Sequence, residues 1–164
     1  MQTFIHIAAI GAGATLVLDL WSLLLKRLGV PVLDFSLLGR WMGHIPRGRW
    51  FHERIAQAAQ VRGEAWMGWS MHYAVGVAFA ALLVSVYGLA WVRSPTLFPA
   101  LLIGVVTVAA PLFILQPALG AGIASSRTPR PVFNSLKTLV NHAVFGVGLY
   151  LAASVTAGLI PTAS

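Results

Sequence analysis

Four long apolar runs constrain this chain more than any other feature of its sequence. They cover residues 4–27, 65–92, 97–119 and 136–160. Each run reaches the ~20 residues that a helix needs to cross ~30 Å of hydrocarbon. None of them alternates between apolar and polar residues, as the strands of a membrane β-barrel do. The pattern therefore predicts an all-α integral membrane protein with four transmembrane helices in an antiparallel bundle.

The composition agrees with a membrane protein. Of the 164 residues, 58% are hydrophobic and 9% are charged, and the mean hydropathy is +0.81. The length suits one domain, so we expect residues 1–164 to form a single four-helix membrane domain, with the first run retained as a helix. The absence of cysteine excludes disulfides, thiolate metal ligands and a cysteine nucleophile.

The basic residues predict the orientation of the chain. The formal net charge is +7, and all Lys and Arg residues except Arg93 lie in or beside the two connections 29–63 and 120–135. Because basic residues favour cytoplasmic loops, both connections are expected in the cytoplasm and both termini on the opposite side of the membrane. This basicity favours anionic lipid headgroups as partners, and no nucleic acid is expected.

The first connection, residues 29–63, is too long for a simple turn. Asp34 is expected to cap a short helix that ends near Met42, and a second short helix is expected at about residues 51–60. Tryptophans mixed with arginines are typical of helices that lie in the headgroup layer. This segment is either such a lipid anchor or an anion- or partner-binding loop. The candidates for binding are Arg40, Arg47 and Arg49, together with Arg127 of the second connection.

Small residues mark the helix faces that are expected to pack together. Gly68 and Gly76 lie four residues either side of His72, and Gly146 lies four residues after His142. Small side chains let helices approach closely in a bilayer, so both histidines are expected inside the protein. Pro111 is expected to kink the third helix and to leave a carbonyl without its helical partner.

The predicted topology places three ionisable residues at one depth. Asp19, His72 and His142 are each about two helical turns from the cytoplasmic ends of their helices, or ~10–12 Å deep at 1.5 Å per residue. We therefore predict an Asp19–His72–His142 cluster, with Gln116 nearer the surface. His6, His44 and His52 are expected at the interface or in solvent.

The cluster is open to several interpretations. Its members can simply satisfy one another and fix the register of the helices. They can also hold a divalent metal such as zinc, ligate haem through two imidazoles, or relay protons. No spacing motif selects among these, so the cofactor stays open and the metal candidates are Asp19, His72 and His142.

No nucleophile, carboxylate pair or cofactor motif points to an enzyme. The leading hypothesis is a membrane protein, not evidently an enzyme, that binds a small ligand or metal or relays protons at this cluster. The alternative is a structural or interaction subunit that packs against a partner membrane protein or a second copy of itself. A membrane enzyme acting on a lipid-soluble substrate has the least support.

Several short motifs together resemble those of a known family. They are Asp19-Leu20-Trp21, Gly39-Arg40-Trp41-Met42-Gly43-His44-Ile45-Pro46-Arg47-Gly48, Gly63-Glu64, His72-Tyr73, Gln116-Pro117 and Ser125-Ser126-Arg127-Thr128-Pro129. Over nearly its whole length the chain resembles a bacterial family of small inner-membrane proteins classed only as a domain of unknown function. The resemblance implies a four-helix membrane architecture and carries no activity, cofactor or site residue.

Overall fold

The computed structural model describes residues 2–158, and within them every regular element is helical. The α-helices are α1 (Gln2–Arg27), α2 (Phe35–His44), α3 (Glu64–Arg93), α4 (Leu97–Val106), α5 (Gln116–Leu119) and α6 (Pro131–Gly158). Three 3₁₀ turns lie at Ile45–Arg47, Ile55–Gln57 and Ile123–Ser125, and a π-helical turn lies at Pro111–Leu115. The predicted all-α fold class is confirmed.

Four helical segments are long and apolar enough to cross a membrane. They are Thr3–Arg27, Glu64–Arg93, Leu97–Leu119 and Pro131–Gly158. Large apolar side chains such as Phe4, Phe98 and Val155 are about 70% exposed on them, as a surface in contact with lipid requires. The four predicted spans are therefore confirmed, although the last begins at Pro131 instead of residue 136 and its predicted end at 159–160 lies outside the described residues.

Pro111 interrupts the third span as predicted. Helix α4 ends at Val106, and the chain continues through a turn into the π-helical segment that Pro111 begins. Proline has no N–H to donate, and its ring clashes with the carbonyl four residues earlier, which here belongs to Thr107. The departure from α-helical geometry therefore starts at Thr107.

Contacts divide the chain into two compact units. The first unit comprises Met1–Val30, Tyr73–Thr107 and Asn141–Ser164, and the second comprises Pro31–His72 and Val108–Val140. The single-domain expectation for residues 1–164 stays a prediction.

In the first unit, small residues bring the helix backbones together. Gly11 of α1 lies directly against the backbone of Gly76 and Val77 in α3, and Gly104 of α4 lies against Gly146 of α6. Around these contacts the buried core contains Ile10, Ala14, Ala80, Leu83, Phe145, Leu149 and Ala153. The packing faces predicted from Gly76 and Gly146 are confirmed.

In the second unit, α2 packs against the beginning of α3. Asp34 caps α2, since its carboxylate accepts a hydrogen bond of 2.9 Å from the backbone N–H of Ser36. One turn later, the backbone of Gly39 lies against the carbonyl of Glu64, and the backbone of Gly68 lies against the carbonyl of Phe35. The predicted cap and the predicted packing face at Gly68 are both confirmed.

The second short helix predicted at about residues 51–60 does not form. This segment is largely irregular, and its only regular element is the 3₁₀ turn Ile55–Gln57. Its backbone groups have tertiary partners, because the N–H of His52 donates to the carbonyl of Ala118 and three nearby carbonyls accept hydrogen bonds from Arg40. These partners replace the hydrogen bonds that a helix would make.

The contact between α1 and α3 can be tested at Gly11. A Cβ added there would lie 2.5 Å from the Cα of Val77 and 2.8 Å from the carbonyl of Gly76. We expect Gly11→Ala to destabilise the protein by about 1–3 kcal/mol through overpacking, although Ala is the better helix former. Denaturant titration in detergent would measure this effect. Ala9→Val, at an exposed position of the same helix, is the control and should change stability by less than ~0.5 kcal/mol; equal effects would contradict the packing role of Gly11.

Candidate functional site

Asp19 lies inside the first span and has a defined partner. Its carboxylate on α1 is partly buried, and it accepts a hydrogen bond of 2.9 Å from the hydroxyl of Tyr73 on α3. A carboxylate in hydrocarbon costs about 2.5–3.5 kcal/mol on insertion scales, so a hydrogen-bond donor at this depth is a substantial compensation. The sequence pattern did not indicate Tyr73, although a phenol directly after His72 in an apolar run is a recognisable signal.

His142 lies beside the break in the third span. Its Nδ1 is 3.2 Å from both the carbonyl of Gly104 and the hydroxyl of Thr107, and that hydroxyl itself donates to Gly104 at 2.8 Å. Because the hydroxyl proton is directed at Gly104, the proton between Thr107 and His142 is carried by Nδ1. Gly104 is in the last turn of α4, where carbonyls lack helical partners. The carbonyl used by His142 and Thr107 is therefore that of Gly104, and it is distinct from the carbonyl of Thr107 that Pro111 leaves without its helical partner.

One residue earlier on α6, Asn141 makes a second polar contact in the first unit. Its side-chain carbonyl accepts a hydrogen bond of 3.0 Å from the indole N–H of Trp21 on α1. Trp21 follows Asp19 by two residues. Helices α1 and α6 are thus joined by a polar contact close in sequence to two of the three predicted cluster residues.

His72 belongs to the second unit and is surrounded by aromatic rings. Its imidazole stacks on Phe35, with ring centroids 4.1 Å apart and an angle of 27° between the planes. The ring of Trp69 meets it edge-on at 5.8 Å. Phe35 is the first residue of α2, so the packing of α2 on α3 also fixes the position of His72.

The predicted Asp19–His72–His142 cluster stays a prediction. Asp19 and His142 lie in the first unit with the partners described above, and His72 lies in the second. Within residues 2–158, no group of three or more His, Cys, Asp or Glu side chains is placed to hold a metal ion. The metal interpretation of Asp19, His72 and His142 stays a prediction.

Gln116 has a local structural role. Its side-chain carbonyl accepts a hydrogen bond of 3.0 Å from Ser125, and its amide donates to Thr138 at 3.2 Å. Thr138 in turn donates to the backbone carbonyl of Asn134. These contacts attach the connection after α5 to the first turns of α6.

The most extensively bonded charged group in the described part of the chain is the guanidinium of Arg40. Its Nε and Nη2 donate to the two carboxylate oxygens of Glu64 at 2.9 and 2.7 Å. Its Nη1 lies 3.1–3.3 Å from the carbonyls of Ile55, Ala56 and Ala58. The hydrogen bond to Glu64 holds the pKa of Arg40 above its ordinary value, against the opposing effect of burial.

These contacts bear on the anion-binding hypothesis for the loop. Arg40 is 6% exposed and its donors are used within the protein, whereas the side chains of Arg47, Arg49 and Arg127 are exposed. The hypothesis stays a prediction, and the three exposed arginines are the members that can reach a ligand without unfolding the connection.

His44 and His52 form a pair, contrary to the expectation that both are solvated. His44 is 2% exposed, and its Nδ1 lies 2.8 Å from Nε2 of His52. Burial lowers the pKa of His52 below the ordinary histidine value. Within the described residues, Nδ1 of His52 is buried without a hydrogen-bond partner. Eight residues separate the two histidines, and no local pattern indicated that the irregular segment would turn back on α2.

The ion pair can be tested by removing its cation. We expect Arg40→Ala to destabilise the protein by about 3–5 kcal/mol, because Glu64 would be left as an unpaired, largely buried charge. Arg40→Lys should fall between this variant and the wild type, since an ammonium group cannot reproduce the two-pronged contact. Denaturant titration in detergent gives the free energies, and Arg47→Ala is the control at an exposed arginine. If Arg40→Ala were as mild as Arg47→Ala, the pair would not hold the connection.

Comparison with known proteins agrees with this architecture. No curated protein and no solved structure matches the chain. The family model described as "Protein of unknown function (DUF2938)" matches residues 8–156. This range includes most of all four membrane-spanning segments and every residue of the candidate site. The chain therefore belongs to the DUF2938 family.

Proposed function

We propose that this protein is a non-enzymatic, multi-pass protein of the bacterial inner membrane that exchanges a proton at Asp19, with His72 and His142 as further members of the site. The observation that carries the proposal is the hydrogen bond from Tyr73 to the carboxylate of Asp19 between two membrane-spanning helices. An ionisable residue inside a span is costly, and such residues commonly mark proton or ion pathways.

The chemistry of the site supports proton exchange. A carboxylate accepts the hydroxyl proton of Tyr73, whereas the protonated acid has a proton of its own to donate, so the contact has two distinct states. On His142, the proton on Nδ1 is engaged by Gly104 and Thr107, and the lone pair of Nε2 is the remaining basic site on the ring. His72 directly precedes Tyr73 on α3.

The orientation of the chain is part of the proposal. Residues 29–63 and 120–135 carry the exposed arginines Arg47, Arg49 and Arg127, which favours a cytoplasmic location beside anionic lipid headgroups. Both termini then lie in the periplasm. Asp19 is nearer the cytoplasmic end of α1, so protons would reach it more directly from that side.

Infrared difference spectroscopy between acidic and neutral pH tests the proton site. A protonated carboxyl signal from Asp19 should appear on acidification and be lost in Asp19→Asn, because an amide does not titrate. Tyr73→Phe should change the frequency of this signal, since the hydrogen bond to the carboxyl group is removed.

Asp34→Asn is the matched control for the same experiment. It removes an exposed carboxylate, while Asn remains a good helix cap. This variant should retain the Asp19 signal. Identical difference spectra for wild type and Asp19→Asn would rule out proton exchange at Asp19.

The orientation can be tested with single cysteines, since the natural chain has none. Ser94 and Ser126 are exposed and follow the second and third spans, respectively. We expect a membrane-impermeant maleimide to label Ser94→Cys in cells with a permeable outer membrane and an intact inner membrane, and to label Ser126→Cys only after the inner membrane is opened. The opposite labelling pattern would reverse the proposed topology.

A further inference from the structure

A groove of about 530 Å³ lies in the second unit, and none of the residues assigned to the proton site lines it. Its volume is within the ~300–1,000 Å³ typical of small-molecule sites. The side chains that line the groove include Phe51, His52, Glu53, Ile123, Ser126 and Arg127. They come from the irregular part of the first connection and from the segment after α5.

Backbone contacts hold the two walls of the groove together. The N–H of His52 donates to the carbonyl of Ala118 at 3.0 Å, and Gly120 packs against the carbonyls of His52 and Glu53. Gly120 has a φ of +97°, and a Cβ at this position would overlap the carbonyl of Glu53. The N–H of Arg127 donates to the carbonyl of Ala121 at 2.9 Å, which closes the second wall into a compact loop. The groove is thus part of the folded structure.

The groove presents one charge of each sign. Glu53 and Arg127 are both exposed, and within the described residues neither has an ion-pair partner. The third ionisable side chain of the groove, His52, favours its neutral form because burial lowers its pKa. A ligand with only negative charge would be repelled by Glu53, and one with only positive charge would be repelled by Arg127. A zwitterion can satisfy both groups.

Apolar side chains lie beside these charges. Phe51 is 74% exposed and Ile123 is 59% exposed. The groove follows the end of the third span at Leu119, so both residues are near the level where hydrocarbon gives way to headgroups. A ligand that continues from a zwitterionic group into an apolar part suits this combination better than a fully water-soluble one.

We propose that this groove binds the headgroup of a zwitterionic aminophospholipid, with its phosphate at Arg127 and Ser126 and its ammonium group at Glu53. A primary ammonium group can donate hydrogen bonds to the carboxylate of Glu53, whereas a quaternary ammonium group cannot. The site therefore selects phosphatidylethanolamine over both phosphatidylcholine and anionic phosphatidylglycerol. Phe51 and Ile123 contact the apolar part of the same lipid.

The test uses the full-length protein in phosphatidylcholine nanodiscs that contain equal fractions of phosphatidylethanolamine and phosphatidylglycerol. Native mass spectrometry after release measures which lipids stay bound. The wild type should retain phosphatidylethanolamine about tenfold over phosphatidylglycerol, as one charge-assisted hydrogen bond implies. Arg127→Gln should lower phosphatidylethanolamine retention about tenfold, and Glu53→Gln should shift the preference towards phosphatidylglycerol.

Three controls make the result decisive. Arg130→Gln removes an exposed arginine outside the groove and should leave lipid retention unchanged. Asp19→Asn should also leave it unchanged, which separates this site from the proton site. Circular dichroism should show the same helix content and melting temperature for wild type, Arg127→Gln, Glu53→Gln and Arg130→Gln, since these three side chains are exposed.

Three results would overturn the proposal. The first is equal retention of the two lipids by the wild type, and the second is an equal effect of Arg127→Gln and Arg130→Gln. The third is displacement of the bound lipid by soluble phosphoethanolamine at the same molar amount, which would assign the groove to the free headgroup and remove the role of Phe51 and Ile123.

Discussion

The absence of water from the hydrocarbon core is the constraint on which the rest of this structure depends. Every polar group in a span needs a partner within the protein. Thr15 donates to the carbonyl of Gly11 four residues earlier, Tyr73 donates to Asp19, and the carbonyl of Gly104 at the end of α4 is shared by Thr107 and His142. Small residues such as Gly11 and Gly104 let the helix backbones approach closely around these contacts. Polar pairing and close packing therefore have to be satisfied together.

The features that the sequence predicts well are those with a local cause. Span length follows from runs of apolar residues, the α2 cap follows from the side chain of Asp34, and the interruption of the third span follows from the missing N–H of Pro111. The positions of Gly68 and Gly76, each four residues from His72, also indicate a packing face without knowledge of its partner. Each of these inferences needs only a few neighbouring residues.

The features that the sequence does not predict depend on where distant segments meet. Arg40 and Glu64 are 24 residues apart and Asp19 and Tyr73 are 54 apart, and neither pair has a spacing motif. The segment at residues 51–60 has the composition of an interfacial helix, but Arg40 and Ala118 provide partners for its backbone that a local pattern cannot reveal. The same fold-back brings His44 and His52 together.

The contacts of Arg40 hold in place a part of the first connection that has little regular structure. Residues 51–60 contain no regular structure except the 3₁₀ turn Ile55–Gln57, yet the carbonyls of Ile55, Ala56 and Ala58 converge on one buried guanidinium that is itself held by Glu64. A spectroscopic measure of helix content would count this segment as coil. Proteolysis reports a different property, because a protease cleaves only a backbone segment that can detach from the protein and become extended. The peptide bond after Arg54 is therefore expected to resist trypsin in the folded protein, even though it lies in a basic loop between two membrane-spanning helices.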